Sequence, residues 1–129
     1  MAATPNAISI ALVASVRNGA MQWNFPPVNL SLTQNNVGRG GKAQILTTTP
    51  AIVDFGDVVT PGFVFLKNLD ALNTISYGPK KSDGTPQLDR TLLPGEPAMF
   101  RQLPGAILMA QSAAGGTGTA LLDVTVLEG

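Results

Sequence analysis

Ten prolines and fourteen glycines are spread along the whole of this 129-residue chain, and they constrain its fold more than any other feature. Proline lacks an N–H and clashes inside a helix, and glycine in an element interior costs backbone entropy. Breakers at this spacing cut the chain into segments too short for ordinary helices, and no segment shows a capped amphipathic helical pattern. The segments between them are rich in Val, Ile, Leu, Thr and Phe, which suit a pleated, half-buried surface. Strands are therefore predicted at residues 7–16, 28–33, 42–48, 51–55, 62–68, 74–77, 88–92, 98–102, 107–111 and 119–127.

Two of these strands carry a clear face. Val28, Leu30 and Leu32 alternate with Asn29, Ser31 and Thr33, and Leu122, Val124 and Val126 alternate with Leu121, Asp123, Thr125 and Leu127. Phe63, Val64, Phe65 and Leu66 run together and read as a buried strand. Asn18-Gly19, Asp83-Gly84, Pro94-Gly95 and Pro104-Gly105 mark turns. Residues 23–27 read as an aromatic-proline elbow, 34–41 as a polar glycine-rich loop and 79–86 as a turn-rich loop. The expectation is an all-β chain, either an antiparallel β-sandwich or a jelly-roll-like barrel of about eight to ten short strands. Its length fits a single β domain over residues 1–129, with a short flexible N-terminal arm at residues 1–5.

Composition narrows the function. Hydrophobic residues make up 44% and charged residues only 12%, half the ~25% of an ordinary soluble domain. A surface so poor in charge is more easily kept in solution if partners cover part of it. Lys plus Arg and Asp plus Glu number eight each, so no global field steers the chain to nucleic acid or to an acidic membrane. Residues 8–16 are apolar but short and interrupted by Ser9 and Ser15, a strand rather than a signal peptide. No apolar run approaches the ~20 residues of a membrane-spanning helix.

With no cysteine, disulfides, thiolate metal sites and thiol nucleophiles are excluded. With no histidine, the commonest general base and transition-metal ligand is missing too. The remaining motifs lack their contexts. Asp54-Phe55-Gly56 spells the magnesium-binding tripeptide of protein kinases, without the glycine-rich and catalytic loops that give it meaning. Gly38-Arg39-Gly40-Gly41-Lys42 has Asn36 and Ala43 where a phosphate loop requires Gly and Ser or Thr, and reads as a mobile hairpin loop. Asp54 and Asp57 flank a turn and are expected to accept backbone N–H bonds rather than to form a hydrolytic or calcium-binding pair. Trp23, Phe25, Phe63, Phe65, Tyr77 and Phe100 have no basic interleaving and are assigned to core packing. The reading is of a protein that is not an enzyme, with no cofactor and no metal.

A resemblance covers residues 54–128. It rests on Asp54-Phe55-Gly56-Asp57-Val58-Val59-Thr60-Pro61-Gly62, Phe65-Leu66-Lys67-Asn68-Leu69-Asp70 and Leu93-Pro94-Gly95-Glu96-Pro97-Ala98-Met99-Phe100-Arg101. Leu103-Pro104-Gly105 and Ala120-Leu121-Leu122-Asp123-Val124-Thr125-Val126-Leu127-Glu128 complete it. In these stretches the chain resembles small β-sandwich virion proteins of tailed bacteriophages, whereas residues 1–53 share only their style. Residues 79–86 form a longer loop than that pattern has.

The resemblance implies a structural part of the particle, first a capsid decoration or cement protein on the head surface, made in the host bacterial cytoplasm. Its implied partners are the major capsid protein and further copies of itself, a trimer being favoured, with neither nucleic acid nor membrane. The alternative is a tail or adsorption component that binds glycans. A self-assembling coat protein ranks third, because coat subunits that package RNA usually carry more basic charge. The contrasting class is a glycan hydrolase using Asp54 or Asp57. Candidate contact residues are Met1, Ala2, Ala3, Thr4 and Pro5 in the arm, Asn36, Arg39 and Lys42 in the glycine-rich segment, and Lys80 and Lys81 in the long loop.

Overall fold

The computed structural model describes residues 7–33, 39–103, 105–113 and 118–128. The chain is all-β, with eleven strands and no helix among the described residues. It divides into two compact units, Met1–Val37 and Gly38–Gly129.

The first unit is a long antiparallel hairpin of β1 (Ala7–Asn18) and β2 (Met21–Thr33). Asn18 pairs with Met21, so Gly19 and Ala20 form the tight connection. Gly19 has φ 59° and Ala20 is not in the left-handed region, the arrangement of a II′ turn with glycine first.

The aromatic-proline segment is not an elbow but the middle of β2. Leu12 pairs with Val28 and the next pair is Ala14 with Phe25, so Pro26 and Pro27 together oppose Val13 in a bulge. This extra residue matters because the apolar pattern of β2 changes phase there. Met21, Trp23 and Phe25 are odd-numbered, whereas Val28 and Leu30 are even. Side chains alternate strictly along a strand, so an unbulged β2 would split them between two faces. The bulge returns them to one face, opposite Ile10, Leu12, Ala14 and Val16.

The second unit contains two antiparallel sheets. One is ordered β5-β10-β7-β8, from β5 (Ala51–Ile52), β10 (Leu108–Ser112), β7 (Ile75–Pro79) and β8 (Arg90–Leu92). The other is ordered β3-β11-β6-β9, from β3 (Arg39–Gly40), β11 (Ala120–Glu128), β6 (Pro61–Asn68) and β9 (Pro97–Arg101), with β4 (Ala43–Leu46) also pairing β11. Prolines sit where a missing donor costs least, opening β6 and β9 and closing β7.

The inner faces are those the alternation implies. Leu122, Val124 and Val126 of β11 are buried and lie beside Asn68, Leu66 and Val64 of β6. Ile75 and Tyr77 of β7, Leu92 of β8 and Leu108 and Ala110 of β10 supply the opposing layer of one shared core. Tyr77 stacks on Phe100 of β9 at 6.1 Å between ring centroids, joining the two sheets. The result is a β-sandwich.

Candidate interaction surfaces

The hairpin carries the first surface. Partners across the ladder share a face, so Leu12, Val16, Met21, Trp23, Val28 and Leu30 lie together, each 40–55% exposed. Trp23 and Phe25 meet edge to face, with ring centroids 5.8 Å apart at 66°. The other face is mainly polar, with Ser9 opposite Ser31, Ala11 opposite Asn29, Ser15 opposite Asn24 and Arg17 opposite Gln22, though Val13, 73% exposed, also lies on it, opposite Pro26 and Pro27. Trp23 is therefore not a core residue, as its aromatic character suggested, but the most prominent side chain of an open apolar face.

The second surface is built at one end of the sandwich around Asn68, whose side chain is fully buried. Its Nδ2 donates to the carbonyls of Asn73 (2.8 Å) and Leu92 (3.0 Å), and its Oδ1 accepts the Asp70 N–H (2.9 Å). The Asn68 carbonyl accepts the Gly95 N–H at 2.9 Å, and the Asn68 N–H reaches the Glu96 carbonyl at 3.0 Å. The Asp70 carboxylate accepts the N–H groups of Leu72 (3.0 Å) and Asn73 (2.6 Å). These donors, Asn73 first, hold its carboxyl below the usual carboxylate range. Glu96 accepts the Leu93 N–H at 2.6 Å across the Pro94-Gly95 turn.

Two loops are thus fixed to one asparagine, and they present Leu69, Leu72 and Leu93 at 45%, 78% and 54% exposure. These apolar side chains are exposed on loops whose backbone groups are hydrogen-bonded. The Asn68-Leu69-Asp70 string signals a turn through its side-chain acceptors. That Asn68 ties together chain segments distant in sequence leaves no local signal.

Asp54 behaves as a turn residue. Its Oδ1 accepts the Gly56 N–H at 2.8 Å, and Lys42 Nζ lies 3.1 Å from its Oδ2. The Gly56 N–H first, then Lys42, lowers its pKa from the ordinary value. Asp57 lies exposed in the turn at Gly56. Among the described residues no three His, Cys, Asp or Glu side chains come together.

The glycine-rich segment needs a correction. Arg39 and Gly40 are not part of a mobile loop but form β3, paired with Leu127 and Val126 of β11. β4 continues in the same register, Ala43 opposite Asp123. Glycine is required here by close approach of backbone. A Cβ on Gly40 would lie 2.5 Å from the Phe55 carbonyl, and one on Gly41, at φ 99°, would press into the Val124 carbonyl.

Of the candidate contact residues, Arg39 and Lys42 lie on this edge of the sheet, and Lys42 is engaged with Asp54. Lys80 and Lys81 lie in the 79–86 loop, an ordered turn closed by Lys81 N–H to the Thr85 carbonyl at 2.8 Å and by Asp83 accepting from Thr85. Met1, Ala2, Ala3, Thr4, Pro5 and Asn36 lie outside the described residues.

A third feature is an open groove of about 370 Å³ lined by residues that include Tyr77, Arg90, Phe100 and Arg101. The Arg101 guanidinium lies 4.5 Å from the Phe63 ring centroid. No helix among the described residues is long and apolar enough to cross a membrane. No protein-family model matches the chain, and neither the curated proteins nor the solved structures yield a match.

Proposed function

We propose that this chain is a structural protein of a tailed-phage particle, a capsid decoration protein that binds the head shell and bridges its subunits. The observation that carries the proposal is the leucine-bearing end of the sandwich. Asn68, Asp70 and Glu96 satisfy the loop backbone, so Leu69, Leu72 and Leu93 are presented without loss of loop order on binding. The low charge and the resemblance over residues 54–128 point the same way.

The mechanism is mechanical. Each contact buries apolar surface at ~25 cal/mol per Å², and copies engaged at several sites add through multivalency. Anchoring by leucines rather than by charge predicts attachment that survives high salt, because only Coulombic contacts are screened.

The test is to add the purified chain to head shells that lack it, then to measure co-sedimentation and the shell's melting temperature. Binding that raises the melting temperature, and that Leu72→Asp with Leu93→Asp abolishes, is the expected result. Immunogold labelling of intact particles on the tail alone would overturn the head assignment. The alternative, a tail or adsorption component taking glycans, is favoured only by the groove beside Tyr77, Arg90 and Arg101. Glycan-array binding lost in Arg90→Ala would select it.

A further inference from the structure

We propose that the apolar face of the β1–β2 hairpin is a self-association surface, covered by the same face of a second copy of this chain. The face is continuous across both strands, since the bulge at Pro26 and Pro27 keeps Phe25, Trp23 and Met21 in line with Val28 and Leu30. A two-stranded ribbon is marginal in water by itself and needs a layer against its apolar side. Two such ribbons packed face to face supply that layer to each other, with both polar faces outward, as two sheets do in any sandwich.

Charge selects the occupant. Arg17 is the one charged residue between Ala7 and Thr33, and it lies on the polar face opposite Gln22. A nucleic acid, an acidic peptide or a charged headgroup would find no counter-charge on the apolar face. A second copy brings no like charges together and leaves no buried ion unpaired. Trp23 and Phe25, already in contact, form a stiff aromatic anchor of the type that dominates interface energies.

The area is sufficient. Six side chains exposed by 40–55% give a patch on the order of 500 Å² per copy, the upper range for the largest patch of a monomer. Two such faces together bury about 1,000 Å², where specific interfaces begin. Self-association through this face is a property of the chain in solution, whether or not it also occupies a shell.

The experiment is sedimentation equilibrium on the full chain over a range of concentrations, with two paired variants. Trp23→Glu with Val28→Glu alters the apolar face; Asn24→Glu with Asn29→Glu alters the polar face by the same charge. The expected wild-type mass is a multiple of the 13.3 kDa chain. The apolar-face pair falls to one chain mass with association weakened at least about 100-fold, and the polar-face pair keeps the wild-type mass.

Because the chain has no cysteine, a milder probe is available. Val28→Cys is expected to form a disulfide-linked dimer on oxidation, and Asn29→Cys is not. A wild-type protein at one chain mass throughout overturns the proposal, as does equal cross-linking from the two faces. Failure of the wild-type chain to bind shells, with its oligomer intact, would count against the decoration reading and leave this surface standing.

Discussion

The hairpin and the sandwich are written in the same alternating pattern, yet they end in opposite states. On β11, Leu122, Val124 and Val126 are 0–2% exposed, whereas on β2, Trp23, Val28 and Leu30 are 40–52% exposed. The difference is the second layer. β7, β8 and β10 close over the inner face of β11 and β6, while β1 and β2 are paired only with each other. An apolar stripe states that a face must be covered; only topology states whether the same unit covers it.

The sharpest way to break this comparison is to truncate one leucine in each unit. Leu122→Ala removes a fully buried side chain and is expected to cost about 3–4 kcal/mol by urea unfolding. Leu30→Ala, measured at dilution, is expected to leave the sandwich's unfolding midpoint unchanged. Equal costs would show that the hairpin face is covered within the chain in solution.

A smaller effect is expected at Asn68. Asn68→Ala orphans two buried carbonyls and the Asp70 N–H, a loss of about 2–3 kcal/mol, and frees the loops that hold Leu72 and Leu93. The sandwich should melt earlier, with amide exchange in residues 7–33 unaltered. Smaller again is Gly19→Ala, which forces a side chain into positive φ for about 1 kcal/mol. Faster exchange confined to residues 7–33 is the outcome that sharpens the division into two units.

The smallest effect near neutrality is the pH dependence. Asp54, Asp70 and Asp83 have pKa values lowered in the folded chain, chiefly by the N–H of Gly56, the N–H of Asn73 and the hydroxyl of Thr85. The unfolded chain therefore takes up protons first as pH falls. The stability these groups contribute is complete above the ordinary carboxylate range and is lost as pH drops through their lowered folded values. With no histidine to titrate between, thermal midpoints should be level across mildly acidic pH and fall only below about pH 4. All three aspartates belong to the sandwich, so Asp70→Asn should flatten its acid limb and leave hairpin exchange untouched.

Local chemistry accounts for what was legible beforehand. The alternation of residues 119–127, the apolar run at Phe63 and the Pro-Gly and Asp-Gly turns placed most strands to within a few residues. Three things escaped it. Pro26 and Pro27 looked like a strand end, because a strand passes through paired prolines only by bulging, and the bulge depends on its partner. Gly40 and Gly41 looked like a loop, because the need for glycine comes from Phe55 and Val124 packed against them. Asn68 looked like a turn residue, because its ties to Leu92 and Glu96 span segments far apart in sequence. The chain changes sheet at nearly every strand from β4 to β11, so such contacts are the rule in this unit.

Pro26 and Pro27 also bear on where growth stops. The outer edges of β1 and β2 have no strand partner among the described residues, and an open ribbon edge is a template on which further strands can add without end. Neither proline has an N–H to donate, so the row of donors along β2 is broken at its middle. A strand from another copy laid edge to edge would lose its register there, whereas stacking on the apolar face needs no backbone donor at all. If copies associate through the apolar face as proposed, the same two residues that align it favour a closed set over a filament.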